Sequence, residues 1–184
     1  MPKFLIREAT EDDAPGLVRY LHDLRENDDH PGVLPMHASP TEARQREWVE
    51  EYRVGKGYIL LLCDGERVLG CAELTRGIGP HRQHCVSLGV SLVKEARGQG
   101  YGTALMQALH RWAEDQPDID RIQLEVFHTN PGAIRLYERM GYVHEGRRIG
   151  AYKRDGQPID AIQMARLIGG SERPTVSDDA CPSE

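Results

Sequence analysis

The sequence is notable first for what it does not contain. No apolar run approaches the roughly 18 residues that a membrane-spanning helix needs, and residues 1–10 lack the basic and apolar regions of a secretory signal. None of the four cysteines belongs to a C-x-x-C pair, and the eight histidines show no metal-ligand spacing. We therefore expect a cytoplasmic protein that makes no contact with a membrane and binds no metal.

Charge and length narrow the class further. The formal net charge of −6 argues against a nucleic-acid-binding surface. A chain of 184 residues suits one domain with a substantial core, whereas its final stretch is polar and shows no periodicity. We expect one domain over residues 1–168 and a disordered tail over 169–184. The oligomeric state is not specified by the sequence, and a homodimer is one of the states left open.

A glycine-rich segment follows a run that reads as a strand, Cys85 to Leu92, and precedes an amphipathic helix. Glycines at such a turn leave backbone N–H groups accessible, and the positive end of the helix dipole adds to them. An arginine at the edge contributes a fixed cation. The sequence therefore predicts a phosphate-binding loop, with Gly98, Gly100 and Gly102 at the turn and Arg97 at its edge.

Two familiar phosphate loops do not match this segment. A Walker loop ends in Gly-Lys-Ser/Thr, which is absent. A dinucleotide loop needs Gly or Ala at position 103, which is Thr103. The spacing Arg-x-x-Gly-x-Gly resembles the pyrophosphate loop of the GNAT superfamily, the N-acetyltransferases that use acetyl-CoA. This resemblance implies that the pyrophosphate is held by the whole segment, Arg97, Gly98, Gln99, Gly100, Tyr101 and Gly102. The alternative is a tight strand-to-helix turn in which the glycines serve geometry alone.

A second signature follows a strand pattern over residues 122–127. Asn130 suits an N-cap, Pro131 suits the first helical position, and Gly141 suits the residue after the helix. The string from Asn130 to Tyr142 resembles the GNAT pattern N-x-x-A-x-x-L-Y-E-x-x-G-F/Y at every position. Two signatures in the expected order are more specific than either one alone.

The order of predicted elements agrees with this resemblance. The pattern is β-α-α-β-β-β-α-β-α-β-β, with hairpin turns at residues 64–65 and 155–156. It matches the GNAT fold, an α/β (α+β) architecture with a mixed central sheet that is splayed between strands 4 and 5. The predicted strands cover 4–9, 58–63, 67–74, 85–92, 122–127, 147–154 and 159–167, and the first two helices cover 10–25 and 39–53.

The resemblance also implies roles for individual residues. The strand before the glycine loop would give backbone groups to the pantetheine arm of acetyl-CoA, and Asn130 would hydrogen-bond that arm. Tyr137 would be the acid that protonates the leaving thiolate. Each role has a structural alternative. The strand could simply be buried, Asn130 could serve only as an N-cap, and Tyr137 could be a packed aromatic ring. The strand residues concerned are Val90, Ser91 and Leu92.

The sequence identifies the catalytic base less clearly than the acid. Glu73 lies on a strand that should border the cleft, and it ranks first as the base. His84, at the start of the phosphate-loop strand, ranks second, and Glu125 is a further carboxylate on the fifth strand. Each of these groups could equally be structural or solvated.

The acceptor is predicted from the end of the domain. Residues 141–167 resemble the endings of bacterial small-molecule acyltransferases, including L-amino-acid N-acyltransferases and polyamine acetyltransferases. We expect acetyl transfer to a small primary amine, an amino acid first and a polyamine or aminoglycoside second. The alternative class is a non-catalytic module that binds or senses acyl-CoA. Residues that could contact the acceptor's charges are Asp28, Asp29, His30, His37, Arg147, Arg148 and Lys153.

Overall fold

The computed structural model describes residues 4–26 and 40–168. Within these ranges, seven strands and four α-helices follow the predicted chain order. The strands are β1 (Phe4–Glu8), β2 (Gly57–Asp64), β3 (Arg67–Arg76), β4 (Cys85–Leu92), β5 (Arg121–Phe127), β6 (Val143–Arg154) and β7 (Gln157–Leu167). The helices are α1 (Ala14–Glu26), α2 (Glu42–Glu51), α3 (Tyr101–Glu114) and α4 (Pro131–Arg139).

The strands form one sheet in the order β1-β2-β3-β4-β5-β7-β6. The central pair, β4 and β5, is parallel and ends after three residue pairs, from Cys85↔Arg121 to Ser87↔Gln123. Beyond Ser87, β4 continues to Leu92 beside β3 alone, and β5 continues beside β7. The sheet therefore opens into a fork between β4 and β5, which confirms the predicted fold and its splay.

Helices cover β4 on both faces of the sheet. Successive strand residues point to opposite faces. The Ser91 side chain meets the buried Tyr20 of α1, with 2.7 Å between the two hydroxyl oxygens. Leu92 points the other way, toward Gly102 of α3 and Leu136 of α4. The fork thus lies between α1 on one face and α3 and α4 on the other.

The apolar core holds α3 against the sheet. Leu105, Met106 and Leu109 have no exposed surface, and neither do Leu74 and Ile122 of the strands beneath them. Burying an aliphatic side chain of this size contributes roughly 1.5–3 kcal/mol. Because these contacts lie directly behind the glycine loop, they fix the start of α3 relative to β4.

Element boundaries differ from the prediction where local capping overrides periodicity. The first helix begins with a short 3₁₀ turn over Glu11–Asp13, because Asp13 accepts from the Thr10 N–H at 2.8 Å and is ion-paired to Arg7. The second helix begins at Glu42, capped by Thr41, and it widens into a π turn after Glu51. The predicted start of this helix at residue 39 and the expected tail at 169–184 lie outside the described residues.

The last hairpin is longer than predicted. Strand β6 starts at Val143 rather than at residue 147, and it pairs with β7 through two register shifts. The shifts fall between His144 and Gly146 and between Arg148 and Tyr152. Such irregularities re-aim side chains along a strand, and here they bring charged residues of β6 over β5.

Candidate active site

The fork opens into a cleft of about 930 Å³ that has two chemically different halves. We call the first the glycine half; it consists of the start of α3, the end of β4 and the cleft-facing residues of α4. Its loop and strand members are Val90, Leu92, Arg97, Gly98, Gly100, Gly102 and Thr103. We call the second the charged half; it consists of polar residues from β4, β5, β6 and β7. Its members include Ser87, Arg121, Gln123, Glu125, Glu145, Tyr152 and Gln163.

The backbone of β4 presents hydrogen-bonding groups to the fork. The Val93 N–H donates to the Leu69 carbonyl at 2.9 Å, so the odd-numbered residues of β4 bond to β3. The N–H and C=O groups of Val90 and Leu92 therefore face the fork. Ser91 differs, since its backbone faces β3 and its hydroxyl contacts Tyr20. Two of the three predicted strand residues thus offer backbone groups to the cleft.

The glycine loop has the geometry of an anion site. Gly98 and Gly100 have φ angles of +73° and +86°, which non-glycine residues rarely adopt. Gly100 is the N-cap of α3, no side chain caps this helix, and the first helical bond runs from the Ala104 N–H to the Gly100 carbonyl. The N–H groups of residues 101–103 therefore point out of the helix end, where the helix dipole favours negative charge.

Side chains of the loop are used mainly to hold its shape. Arg97 Nε donates to the Leu92 carbonyl at 3.0 Å, and the Gln99 amide donates to the Glu95 carbonyl. The Tyr101 ring packs on Phe4 of β1 with centroids 4.7 Å apart. Gln99 and Tyr101 consequently face the anion site through their backbone only.

Helix α4 is capped at both ends as predicted. Asn130 Oδ1 accepts from the Ala133 N–H at 3.1 Å, and Asn130 also lines the cleft. At the other end Gly141 adopts φ +87°, and the Tyr142 N–H donates to the Tyr137 carbonyl at 3.0 Å. These caps bound a helix of nine residues that presents Tyr137 to the fork.

Tyr137 is a protonated phenol at neutral pH. Burial, and secondly the charge of Glu73, raise the pKa of its hydroxyl to about 12. Its ring lies against that of Tyr142, with centroids 5.8 Å apart. Tyr142 is in turn held in the core by a 2.9 Å hydrogen bond between its hydroxyl and His110 Nε2.

Glu73 lies beside the fork, on the face of the sheet that α1 covers. It stands directly across from Gly89 in the β3–β4 register, and its carboxylate lies over the Gly89 backbone. Burial raises the pKa of this carboxyl to about 7. The base candidate thus lies over Gly89 in the wall of the cleft, and its charge acts on Tyr137, the acid candidate that lines the cleft.

The sequence that forms this fork matches a known protein family. The model of the acetyltransferase (GNAT) family matches residues 19–142, which is more than half of the chain. This chain belongs to the GNAT family. As a family member it is an acyltransferase.

Individual relatives agree with this assignment. L-amino acid N-acetyltransferase AaaT of Escherichia coli is 27% identical over 153 residues, covering 77% of this chain and 94% of the relative. A GNAT acetyltransferase structure from Streptococcus pneumoniae has a TM-score of 0.82 and 26% identity, covering 90% of this chain and 100% of that one. A phosphinothricin acetyltransferase structure from Sinorhizobium meliloti has a TM-score of 0.79 and 19% identity, covering 96% and 95%.

His84 lies away from the fork of this acetyltransferase. Its side chain is exposed, and its carbonyl accepts from the N–H groups of Asp120 and Arg121 at 3.1 and 3.2 Å. These contacts place it at the closed end, where β4 and β5 still pair. At about 3.3 Å per residue it is roughly 20 Å along the strand from Val90. The structure therefore does not bring the second base candidate together with Tyr137.

Most of the charged half was not predicted from the sequence. Glu125 accepts from Arg148 Nη1 at 2.7 Å and from the Tyr152 hydroxyl. Arg121 donates from Nη1 and Nη2 to the two carboxylate oxygens of Glu145, with 2.8 Å between Nη1 and Oε1. The alternation of β5 indicated which of its residues share a face, but the partners on β6 follow from its register shifts.

The predicted acceptor contacts are distributed differently from the expectation. Arg147 is paired with Asp160, and Arg148 with Glu125, so both already have carboxylate partners within the protein. Lys153 is exposed on β6. The other four predicted contacts, Asp28, Asp29, His30 and His37, lie outside the described residues. Arg82, at the turn before β4, also lines the cleft.

Two further features concern the described residues as a whole, namely metal-binding groups and membrane-spanning helices. Across residues 4–26 and 40–168, no three His, Cys, Asp or Glu side chains converge in a way that could hold a metal ion. No helix in those same ranges is long and apolar enough to cross a membrane.

Proposed function

We propose that this chain is an acetyl-CoA-dependent N-acetyltransferase that acts on the primary amine of a small molecule, an amino acid first. The observation that carries the proposal is that the Glu73 carboxylate, which lies over Gly89 of the cleft wall, acts electrostatically on Tyr137, which lines the cleft. Their pKa values, about 7 and about 12, suit a base and an acid that work at neutral pH. The Sinorhizobium meliloti relative, solved with AcCoA, supports the choice of cosubstrate.

The glycine half fits the cosubstrate chemically. Its outward N–H groups at the start of α3 suit a pyrophosphate, and Arg97 at the edge of the loop adds positive charge. The fork-facing N–H and C=O groups of Val90 and the N–H of Leu92 suit the amides of a pantetheine arm, whereas the Leu92 carbonyl accepts from Arg97. The amide nitrogen of Asn130, which the helix cap does not use, can add a further donor.

The proposed chemistry assigns one task to each group. Bound acetyl-CoA supplies a thioester carbonyl that an amine can attack. Glu73 is partly ionised near pH 7, so it accepts the proton that the attacking amine must lose. The Val90 N–H, which faces the fork, donates to an oxygen on which negative charge develops. Tyr137 keeps its proton until the sulfur leaves and then donates it.

The acceptor class rests on a relative and on the charged half. The Escherichia coli relative is named as an L-amino acid N-acetyltransferase and covers most of this chain. The charged half presents both signs of charge beside the fork, as the ion pairs Arg121–Glu145 and Arg148–Glu125 show. Such a surface suits a small zwitterion better than an apolar amine.

The test is an amine panel that follows thiol release from acetyl-CoA. Its arms are L-amino acids, a polyamine, an aminoglycoside and short peptides, and we expect the fastest release with an amino acid. Melting curves with CoA report binding separately, because a ligand of the native state raises the melting temperature. Release with peptides alone would overturn the acceptor class. A melting shift without release from any amine would favour the non-catalytic acyl-CoA module.

We also propose that the protein works in a reducing compartment, as in the cytoplasm. The three cysteines of the described ranges, Cys63, Cys71 and Cys85, are free and buried. Burial raises the pKa of each thiol, which keeps it protonated and unreactive. The expected result is full activity in the presence of a thiol reductant, and dependence on an oxidant would contradict it.

A further inference from the structure

Gly89 occupies an unusual position on β4, directly opposite Glu73. A Cβ atom built on Gly89 would lie 2.1 Å from Glu73 Oε1 and 2.7 Å from Cδ. Both distances are below the 3.0 Å that real Cβ contacts essentially never undercut. The carboxylate therefore fills the volume that any side chain at position 89 would need.

The backbone conformation does not explain this glycine. Gly98 and Gly100 have positive φ angles and open space around them, so their requirement is conformational. Gly89 is not among the positive-φ glycines and lies within a regular strand. A glycine is required at this position because the Glu73 carboxylate occupies the space of a side chain.

Within the described residues, the Glu73 carboxylate is held by packing rather than by polar contacts. Among the described residues, no side chain donates a hydrogen bond to it or forms an ion pair with it. The titratable groups that interact with it are Cys71 on its own strand, Tyr20 of α1, Tyr52 after α2 and Tyr137 of α4. Burial raises the pKa of all four, so each is neutral near pH 7 and none anchors a carboxylate by charge.

The location of this contact is functionally relevant. Ser87 is the last β4 residue paired with β5, and Gly89 lies two positions beyond it, inside the fork. We propose that Gly89 is a positioning residue, whose missing side chain seats the Glu73 carboxylate at the opening of the fork. This inference rests on the proposed role of Glu73 as the base.

The test is a double-mutant cycle between Gly89→Ala and Glu73→Gln. In the wild-type background, Gly89→Ala displaces the carboxylate, and we expect kcat/KM to fall at least about 10-fold, because a displaced base loses part of the roughly 10²- to 10⁴-fold that a general base contributes. In the Glu73→Gln background the base is already absent, so the added methyl should change kcat/KM less than about twofold. Such non-additivity is the mark of one residue acting through another.

Three further readouts separate positioning from damage to the fold. The clash involves only the far end of a flexible side chain, so Gly89→Ala should keep its melting temperature and its melting shift with CoA. In wild type, kcat/KM should rise with pH through an apparent pKa of about 7, because the base must lose its proton. In Gly89→Ala this limb should move to lower pH, because a displaced carboxylate is better solvated.

The outcomes distinguish the inference from the proposal beneath it. If Glu73→Gln is inactive but Gly89→Ala is fully active, the positioning role is wrong and the base stands. Equal losses from Gly89→Ala in both backgrounds also overturn the positioning role, since the effect then bypasses Glu73. If Glu73→Gln retains full activity with chemistry rate-limiting, both the base assignment and the role of Gly89 fail, whereas acetyl transfer itself is measured independently by thiol release.

Discussion

The two halves of the cleft are built on different principles. The glycine half uses backbone groups of contiguous segments, which are fixed by the positive φ angles of Gly98 and Gly100 and by the caps of α4. The charged half uses side chains from strands far apart in the chain, which the sheet register brings together. The glycine half therefore depends on the conformation of its backbone, which few substitutions at its glycines would preserve. In the charged half, each side chain can be substituted on its own.

The two halves also differ in how they are supported. Behind the glycine half lie the buried core of α3 and the His110–Tyr142 hydrogen bond, with both residues at 5% exposure or less. The ion pairs of the charged half are partly exposed, with Arg148 at 53% and Glu125 at 26%. Exposed pairs contribute little to stability. We therefore expect changes in the glycine half to lower activity with every acceptor. Changes in the charged half should alter only the KM for the acceptor amine.

The largest effect should come from Tyr137→Phe, at the border of the two halves. The change keeps the ring and removes only the hydroxyl, so the proposed acid is lost while the packing remains. We expect kcat to fall roughly 10²- to 10⁴-fold, the usual range for a general acid. The affinity for acetyl-CoA, measured by the melting shift with CoA, should stay close to that of wild type.

Tyr142→Phe is the matched control for this change. It removes a hydroxyl from the neighbouring ring, whose partner is His110 in the core rather than the cleft. We expect a lower melting temperature with kcat nearly unchanged. A Tyr137→Phe enzyme with kcat within about twofold of wild type, and with chemistry rate-limiting, would remove Tyr137 from the mechanism.

The second prediction tests the glycine half as an anion site. Gly100→Asp places a carboxylate at the N-cap of α3, where the cosubstrate's phosphates should bind. We expect kcat/KM for acetyl-CoA to fall about 100-fold, which corresponds to about 2.7 kcal/mol. The melting shift with CoA should shrink accordingly.

Gly65→Asp is the control for backbone strain. Gly65 also has a positive φ, +58°, with open space around it, but it lies in the β2–β3 hairpin. Both variants carry the same new charge and a similar strain, so both should melt earlier. If Gly65→Asp weakened acetyl-CoA binding as much as Gly100→Asp did, the anion site would not be at the start of α3.

The same contrast explains what the sequence could predict. The residues of the glycine half are local: Gly100 and Asn130 each act on the helix that they begin, so a contiguous motif was sufficient. The partners of Glu125 depend on register shifts in β6 that no motif encodes. The sequence did not single out Gly89, because its proposed role depends on Glu73, which faces it across the β3–β4 register.

His84 illustrates a different limit of sequence reasoning. Its place beside the phosphate-loop strand was correct, but the fork opens at the end of β4 where Leu92 lies. Since the loop that follows Leu92 was already predicted to hold the phosphates, strand direction would have placed His84 at the far end. Adjacency along a strand therefore has to be combined with strand polarity before a residue is assigned to a site.

The third prediction concerns the buried support of the glycine half. Burial, and secondly the charge of Arg166, lower the pKa of His110 to about 4, whereas Glu114 acts in the opposite direction. The unfolded chain has a pKa of about 6.5 at this residue, so it binds more protons than the folded chain between these values. Stability must therefore fall as pH drops from about 6.5 to about 4.

His110→Gln should flatten this dependence. The Gln amide can still bond the Tyr142 hydroxyl, but it does not titrate. Between pH 7 and pH 5, we expect the variant to lose roughly 3–8 °C less in melting temperature than wild type does. Other titrating groups are common to both proteins and cancel in the difference. Identical pH profiles of melting temperature would show that His110 does not remain neutral in the folded protein.

The smallest effect should come from Arg148→Ala in the charged half. The change frees Glu125 from its ion pair, so the acceptor meets a less constrained carboxylate. We expect KM for the amine to change roughly two- to fivefold and the melting temperature to shift less than about 2 °C, because the pair is exposed. KM for acetyl-CoA should not move. Arg46→Ala breaks a similarly exposed pair with Glu42 on α2 and serves as the control. Equal effects on both KM values would contradict the division of the cleft into two independent halves.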